Sequence, residues 1–137
     1  MLNALERTFG VELEFITDDK NALANHINTV CGSHTVKVEN YNHTTRGYWK
    51  LITDSSVHAT TPADHRANLE GFELVSPILK GEMGMREIRA IMDAIETYTG
   101  IAKVNKSCGY HLHIQADDLN LKQLKNVMKA QVKYEWV

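Results

Sequence analysis

The chain has 137 residues, 43% of them hydrophobic, enough for one domain with a core of its own. Lys and Arg number 15 against 17 Asp and Glu, a formal net charge of −2, which lacks the basic excess of a nucleic-acid binder. No apolar run approaches a membrane span, no secretion signal opens the chain, and Cys31 and Cys108 lie outside any CxxC spacing, so a cytoplasmic protein with two free thiols is expected.

The stretch "FGVELEFIT" (9–17) alternates as a strand, with Phe9, Val11, Leu13 and Phe15 on one face and Glu12 and Glu14 on the other. Asp18 and Asp19 supply N-cap chemistry for a helix carrying Leu23, Ile27, Val30 and Cys31, and Gly32 suits its C-cap. "HTVKVENY" (34–41) reads as a strand and "GYWKLITDS" (47–55) as its hairpin partner. From Ser55 to Leu69 the chain is polar and irregular, a length of loop often given to lids or binding. "GFELVSPIL" (71–79) is another strand, and a helix from about 85 to 99 turns Met85, Ile88, Met92 and Ile95 inward, with Gly100 just past its end. "CGYHLHIQ" (108–115) is the last strand, and a final helix from Asn120 carries Leu121, Leu124, Met128, Val132 and Trp136 on one stripe. The order β-α-β-β-β-α-β-α predicts an α+β fold, a largely antiparallel sheet with helices on one face and the other face open.

Alternation assigns side chains to that open face. Phe72, Leu74 and Ile78 point to the helices, as do Tyr110, Leu112 and Ile114, and so do Trp49 and Leu51. The opposite face then collects Glu12, Glu14, Glu73, His111 and His113, with Asp54 near its end. A merely solvated face usually carries Thr, Lys, Arg and Gln. Clustered carboxylates repel unless cations hold them, and oxygen ligands with an imidazole suit Mg²⁺ or Mn²⁺. The His-x-His pair alone is weak, since it fits zinc sites and structural pairs equally well. His26 reads as a packed or surface residue, His34, His43, His58 and His65 as loop residues, and Cys108 as a structural thiol rather than a nucleophile.

In this order and spacing, "FGVELEF", "WKLITDSS", "GFELVSPIL" and "NKSCGYHLHI" resemble the amidoligases, a branch of the glutamine-synthetase-like carboxylate–amine ligases. The resemblance runs from about Arg7 to Ile114 and implies an antiparallel sheet curved into a half-barrel, with Mg²⁺ or Mn²⁺ on its concave side between ATP and a carboxylate substrate. By motif position it implies that Glu12 and His111 hold metal on the phosphate side and Glu14 and Glu73 hold metal nearer the substrate. His113 would touch the nucleotide, and Asp54 the substrate or amine.

The implied reaction is ATP-dependent amide formation through an acyl phosphate, joining a small-molecule or peptide carboxylate to an amine or ammonia. In the family, a further acidic ligand and phosphate-binding arginines follow the His-x-His strand. This chain ends in "KYEWV", on a helix stripe, so residues 1–137 are expected to form one amidoligase-like domain incomplete at its C-terminus. Arg46 and Arg66 are the spare arginines. Two other readings compete: a zinc-type hydrolase using the His-x-His and Glu set to activate water, and a non-catalytic remnant of the ligase fold.

Overall fold

Strand β1 (Thr8–Thr17) is the axis of the sheet, and every other strand except the two farthest from it pairs with it directly. The structure is a computed structural model describing residues 2–3, 5–32 and 36–134. Helix α1 (Lys20–Cys31) starts where Asp19 accepts from the backbone N–H groups of Asn21 and Ala22, and it stops at Gly32, whose φ of 61° favours glycine. Strands β2 (Val36–Val38) and β3 (Trp49–Thr53) follow, then a short helix α2 (Pro62–Arg66), β4 (Glu70–Val75), β5 (Leu79–Lys80) and α3 (Gly81–Glu96). Strands β6 (Ala102–Lys103) and β7 (Tyr110–Ile114) and helix α4 (Leu121–Tyr134) complete the chain. The result is an α+β fold whose sheet curls into a half-barrel, ordered β2-β3-β4-β1, with β5 continuing the β4 edge of β1 past Ser76 and β6 and β7 along the opposite edge.

One pairing departs from the expected hairpin. Strands β2 and β3 are parallel, Val36 opposite Trp49 and Val38 opposite Leu51. A parallel pair needs a connection that travels back along the strand, and residues 39–48 make that return without a helix. The remaining pairs are antiparallel. The expected strand 71–79 is broken at Ser76: its N–H donates to the Val11 carbonyl, its Oγ accepts from the Val11 N–H, and Pro77 then ends the ladder by lacking an N–H. Ile78, expected inside, is therefore exposed.

The core lies between the sheet and the helix pair α1–α3. Val11, Phe15, Leu23, Ile27, Trp49, Leu51, Phe72, Leu74, Ile88 and Ile91 are buried together. Helix α3 begins earlier than expected and is rotated from the expected face: Gly84, Ile88, Ile91 and Ala94 are buried, whereas Met85 and Met92 are exposed. The reason is close packing at Gly84, where a Cβ would come within 2.8 Å of Leu79 and 2.9 Å of the Phe9 ring. Val30, also expected inside, is exposed on α1.

A second cluster of Ile16, Val57 and Leu69 sits on the other side of the sheet. Here the loop after β3 lies so close to Gly71 that a Cβ there would be 1.7 Å from the Val57 carbonyl oxygen. Within the expected irregular segment, Thr61 and Asp64 form a capping box for α2, and buried Asp64 meets Lys103 Nζ at 2.5 Å. That ammonium, first, and the Thr61 and Thr60 donors hold the Asp64 carboxyl down at about 2 against the effect of burial.

Tyr110, Leu112 and Ile114 were expected in the core and are instead more than half exposed. The alternation of β7 is right, but α1 and α3 do not reach beneath it. The stripe of α4 (Leu121, Leu124, Met128, Val132) is exposed as well, and Trp136 lies outside the described residues. His34 also lies outside them. Neither Cys31 nor Cys108 is in a disulfide.

Candidate active site

The register of β1 brings the acidic residues together. Glu14 stands directly opposite Glu73 on β4, and Glu12 directly opposite His111 on β7. Two glutamates facing each other across an antiparallel pair repel, and such a pair destabilises a sheet that has no cation to offer it. One oxygen each of Glu12 and Glu73 and one ring nitrogen of His111 lie within 4.8 Å of one another, the spread of donors around a single cation.

The hydrogen bonds fix these groups in different ways. His111 Nδ1 is 3.0 Å from Glu12 Oε2 and 3.6 Å from Glu14 Oε1, while His113 Nε2 is 3.1 Å from Glu12 Oε1. Glu14 is almost fully buried, and its Oε2 accepts from the Gly109 N–H at 2.6 Å. One oxygen of Glu14 is thus committed to the backbone, leaving Oε1 beside His111. Gly109 carries no side chain where both approach; a Cβ would sit 3.2 Å from His111 Nε2 and 3.4 Å from Glu14 Oε2.

The electrostatics are those of crowded carboxylates. Burial, then the charge of Glu12, its hydrogen bond, and the charges of Asp54 and Glu14 push Glu73 up to about 7. Burial pulls Glu12 the same way, but hydrogen bonds from Glu73, His113 and His111 and the His113 charge outweigh it and leave Glu12 below the usual range. The two carboxyls sit close enough to share a proton, and the opposite directions of their shifts belong to the pair rather than to either residue.

Asp54 lines the same cavity, with Oδ1 held by the Ser56 N–H at 2.8 Å and Oγ at 2.7 Å. All six residues picked out from the sequence therefore lie on one concave surface, but they do not form one cluster. Glu12, Glu73 and His111 converge; Glu14 adjoins them; among the described residues His113 reaches only Glu12, and it borders the neighbouring cavity. The spare arginines stand apart. Arg46 is paired with Glu39 at 3.1 Å, and neither Arg46 nor Arg66 lines the glutamate cavity.

Sequence reasoning missed one wall of this cavity. Tyr41, Asn42, His43, Thr44 and Thr45, from the β2–β3 connection, line the glutamate cavity beside Lys50 of β3. Lys50 shares its parity along the strand with Ile52 and Asp54, and that was the one available sign that it belongs to this face. The donor set, three carboxylates with an imidazole and no thiolate, fits a hard divalent cation. No helix among the described residues is long and apolar enough to cross a membrane.

A family model described as "Putative amidoligase enzyme" matches residues 5–137. No curated protein and no solved structure matches the chain.

Proposed function

The chain belongs to the amidoligase family, and from that premise we propose that it is an ATP-dependent carboxylate–amine ligase requiring Mg²⁺ or Mn²⁺, or the part of one that carries the catalytic floor. The observation that supports this reading best is the convergence of Glu12, Glu73 and His111 within 4.8 Å, beside a Glu14 already oriented by the Gly109 N–H. Glu12, Glu73 and His111 would hold the cation, with Glu14 Oε1 adjacent. When bound, it would supply neutralisation of phosphoryl oxygens, which is most of what phosphoryl transfer requires.

In the reaction, a carboxylate oxygen of the substrate attacks the γ-phosphorus of ATP and ADP leaves, giving an acyl phosphate. The amine nitrogen then attacks the acyl carbon, the C–O bond to phosphate breaks, and the amine gives up a proton. Asp54, held by Ser56, would receive the amine. His113, which lines the neighbouring cavity, would contact the nucleotide. Exclusion of water matters because an acyl phosphate hydrolyses, and residues 41–45, which line the glutamate cavity, would serve that end.

The test is thermal unfolding of the chain with Mn²⁺ and a nonhydrolysable ATP analogue. The two together should raise the midpoint more than either alone, and Glu12→Gln should abolish the joint effect. Stabilisation by Zn²⁺ alone, with the analogue silent, would transfer the assignment to a metal-dependent hydrolase.

A further inference from the structure

The concave face holds two cavities that meet at residues of both the sheet and the β2–β3 connection. One, of about 400 Å³, runs along Gly10, Ser76, His113 and Gln115. The other, of about 380 Å³, lies over Glu14, Glu73, His111 and Asp54. Glu12, Val75 and Thr45 line both. Thr45 belongs to the β2–β3 connection, and the residues before it, Tyr41 to Thr44, line only the second of these two cavities.

That connection has no regular secondary structure, yet it is fastened at its centre. The Asn42 amide makes four hydrogen bonds: Nδ2 donates to Glu39 Oε2 at 3.0 Å and to the Asn40 carbonyl at 2.8 Å, and Oδ1 accepts from the Thr44 N–H at 3.1 Å and from Lys50 Nζ at 3.0 Å. Lys50 Nζ also donates to the Asn42 carbonyl at 2.7 Å. Lys50 is only 3% exposed, so its ammonium has taken these oxygens in place of water. Pulling the loop away would break both of these Lys50 hydrogen bonds. At the base, Glu39 accepts from the Tyr48 hydroxyl and from Arg46.

Given the ligase reading above, we propose that residues 41–45 form the wall that selects the acid substrate, with Tyr41 and His43 as its contact residues and Asn42 as the positioning residue. The chemistry of the second cavity defines the class accepted. Among the described residues, Ile52 and Val75 are its only aliphatic hydrocarbon side chains; the rest offer carboxylates, hydroxyls, an amide, an ammonium, imidazoles and a phenol. With Glu12, Glu73 and His111 given to the cation and Asp54 to the amine, the Tyr41 phenol, the His43 imidazole and the Thr44 and Thr45 hydroxyls remain for the acid; a hydrocarbon tail would desolvate them with nothing in return, whereas a small acid bearing an ammonium or further hydrogen-bonding group would satisfy them. The substrate is therefore an amino acid or the end of a peptide.

The experiment is phosphate release from ATP with Mg²⁺, using a panel of L-amino acids, dipeptides and aliphatic monocarboxylic acids of matching size, each with ammonium as amine donor. The expected result is release with a subset of the amino acids or dipeptides and none with the aliphatic acids. Asn42→Ala should raise the KM for that acid at least tenfold while leaving the KM for ATP within twofold. Asn42→Asp, which keeps the oxygen facing Lys50, should recover part of the loss. Exposed Tyr41→Ala and His43→Ala, which cannot unfold the core, should reorder the preferred acids. A panel response led by aliphatic acids, or acid KM values and rankings unchanged in all four variants, would overturn the wall. So would release with no acid from a protein that Mn²⁺ and the ATP analogue still stabilise, and that outcome would leave the ligase assignment standing. Loss of the joint stabilisation itself in the unmodified chain would remove both.

Discussion

The two flanks of β1 are built by different physics. On one side, β4 and β3 pack against α1 and α3, with Leu74, Leu51, Trp49 and Phe72 sealed from water. On the other side, β7 is held by its ladder to β1 and by polar clamps, and its apolar side chains face outward. Arg7 grips Asp118 through two hydrogen bonds of 2.6 and 3.0 Å and also reaches the Gln115 carbonyl at 2.7 Å; Gly109 grips Glu14 at the other end of the strand. The lesson is that the candidate site straddles a firm flank and a soft one: Glu73 comes from the first, His111 and His113 from the second. Few buried apolar contacts mean low local stability, and ligand-binding elements are commonly drawn from such regions.

The largest expected effect breaks the firm flank. Leu74→Ala should cost about 2–5 kcal/mol in global unfolding, as large-to-small changes at fully buried sites do. Leu112→Ala, the same chemistry on β7, should cost about 1 kcal/mol or less, because half of what it removes is already in water. Urea unfolding of both variants measures the contrast directly, and equal losses would show that the two flanks are equally packed in solution.

An intermediate effect loosens only the soft flank. Asp118→Asn removes the charge that Arg7 holds, and β7 amide protons should then exchange faster while those of β4 remain as slow as before. The same pair gives a pH signature. The Arg7 hydrogen bond, first, and the Leu2 N–H keep the Asp118 carboxyl below its ordinary value, so its contribution is present above that value and is lost as pH falls through the lowered one. Acidification should open β7 before it unfolds β4, and simultaneous opening would contradict the division.

The smallest expected effect concerns the seam. Glu73 titrates at about 7 in the fold against an ordinary 4.5, so the stability tied to its proton is complete below about 4.5 and is lost as pH rises through 7. In the presence of a chelator, the unfolding midpoint should therefore drift down between pH 5 and pH 8. Glu73→Gln, which keeps a hydrogen-bonding amide without the charge, should flatten that drift and leave the protein as stable or slightly more so at pH 8. A steeper drift in Glu73→Gln would mean that the carboxylate is paired with a cation rather than crowded by its neighbours.

Much of this protein was legible in the order of its residues, because the period-2 alternation of a strand depends only on local geometry. Glu12, Glu14, Glu73, His111 and His113 could be placed on one face from parity alone, and the caps at Asp19 and Gly32 from local hydrogen bonding and φ. The α+β class followed from the same patterns, and the family from four motifs in sequence.

What parity cannot tell is how far the neighbouring layer extends. Tyr110, Leu112 and Ile114 alternate like core residues, yet their burial depends on whether a helix lies beneath them, and Met85 and Met92 turn outward because Gly84 lets α3 seat closer on Phe9 and Leu79. The parallel β2–β3 pair was equally hidden, since nothing local distinguishes a connection that turns tightly from one that runs back. Only the tertiary structure decided that this connection lines the glutamate cavity, because what ties it there is a pair of hydrogen bonds from the buried Lys50 ammonium to the oxygens of Asn42, a residue eight positions away.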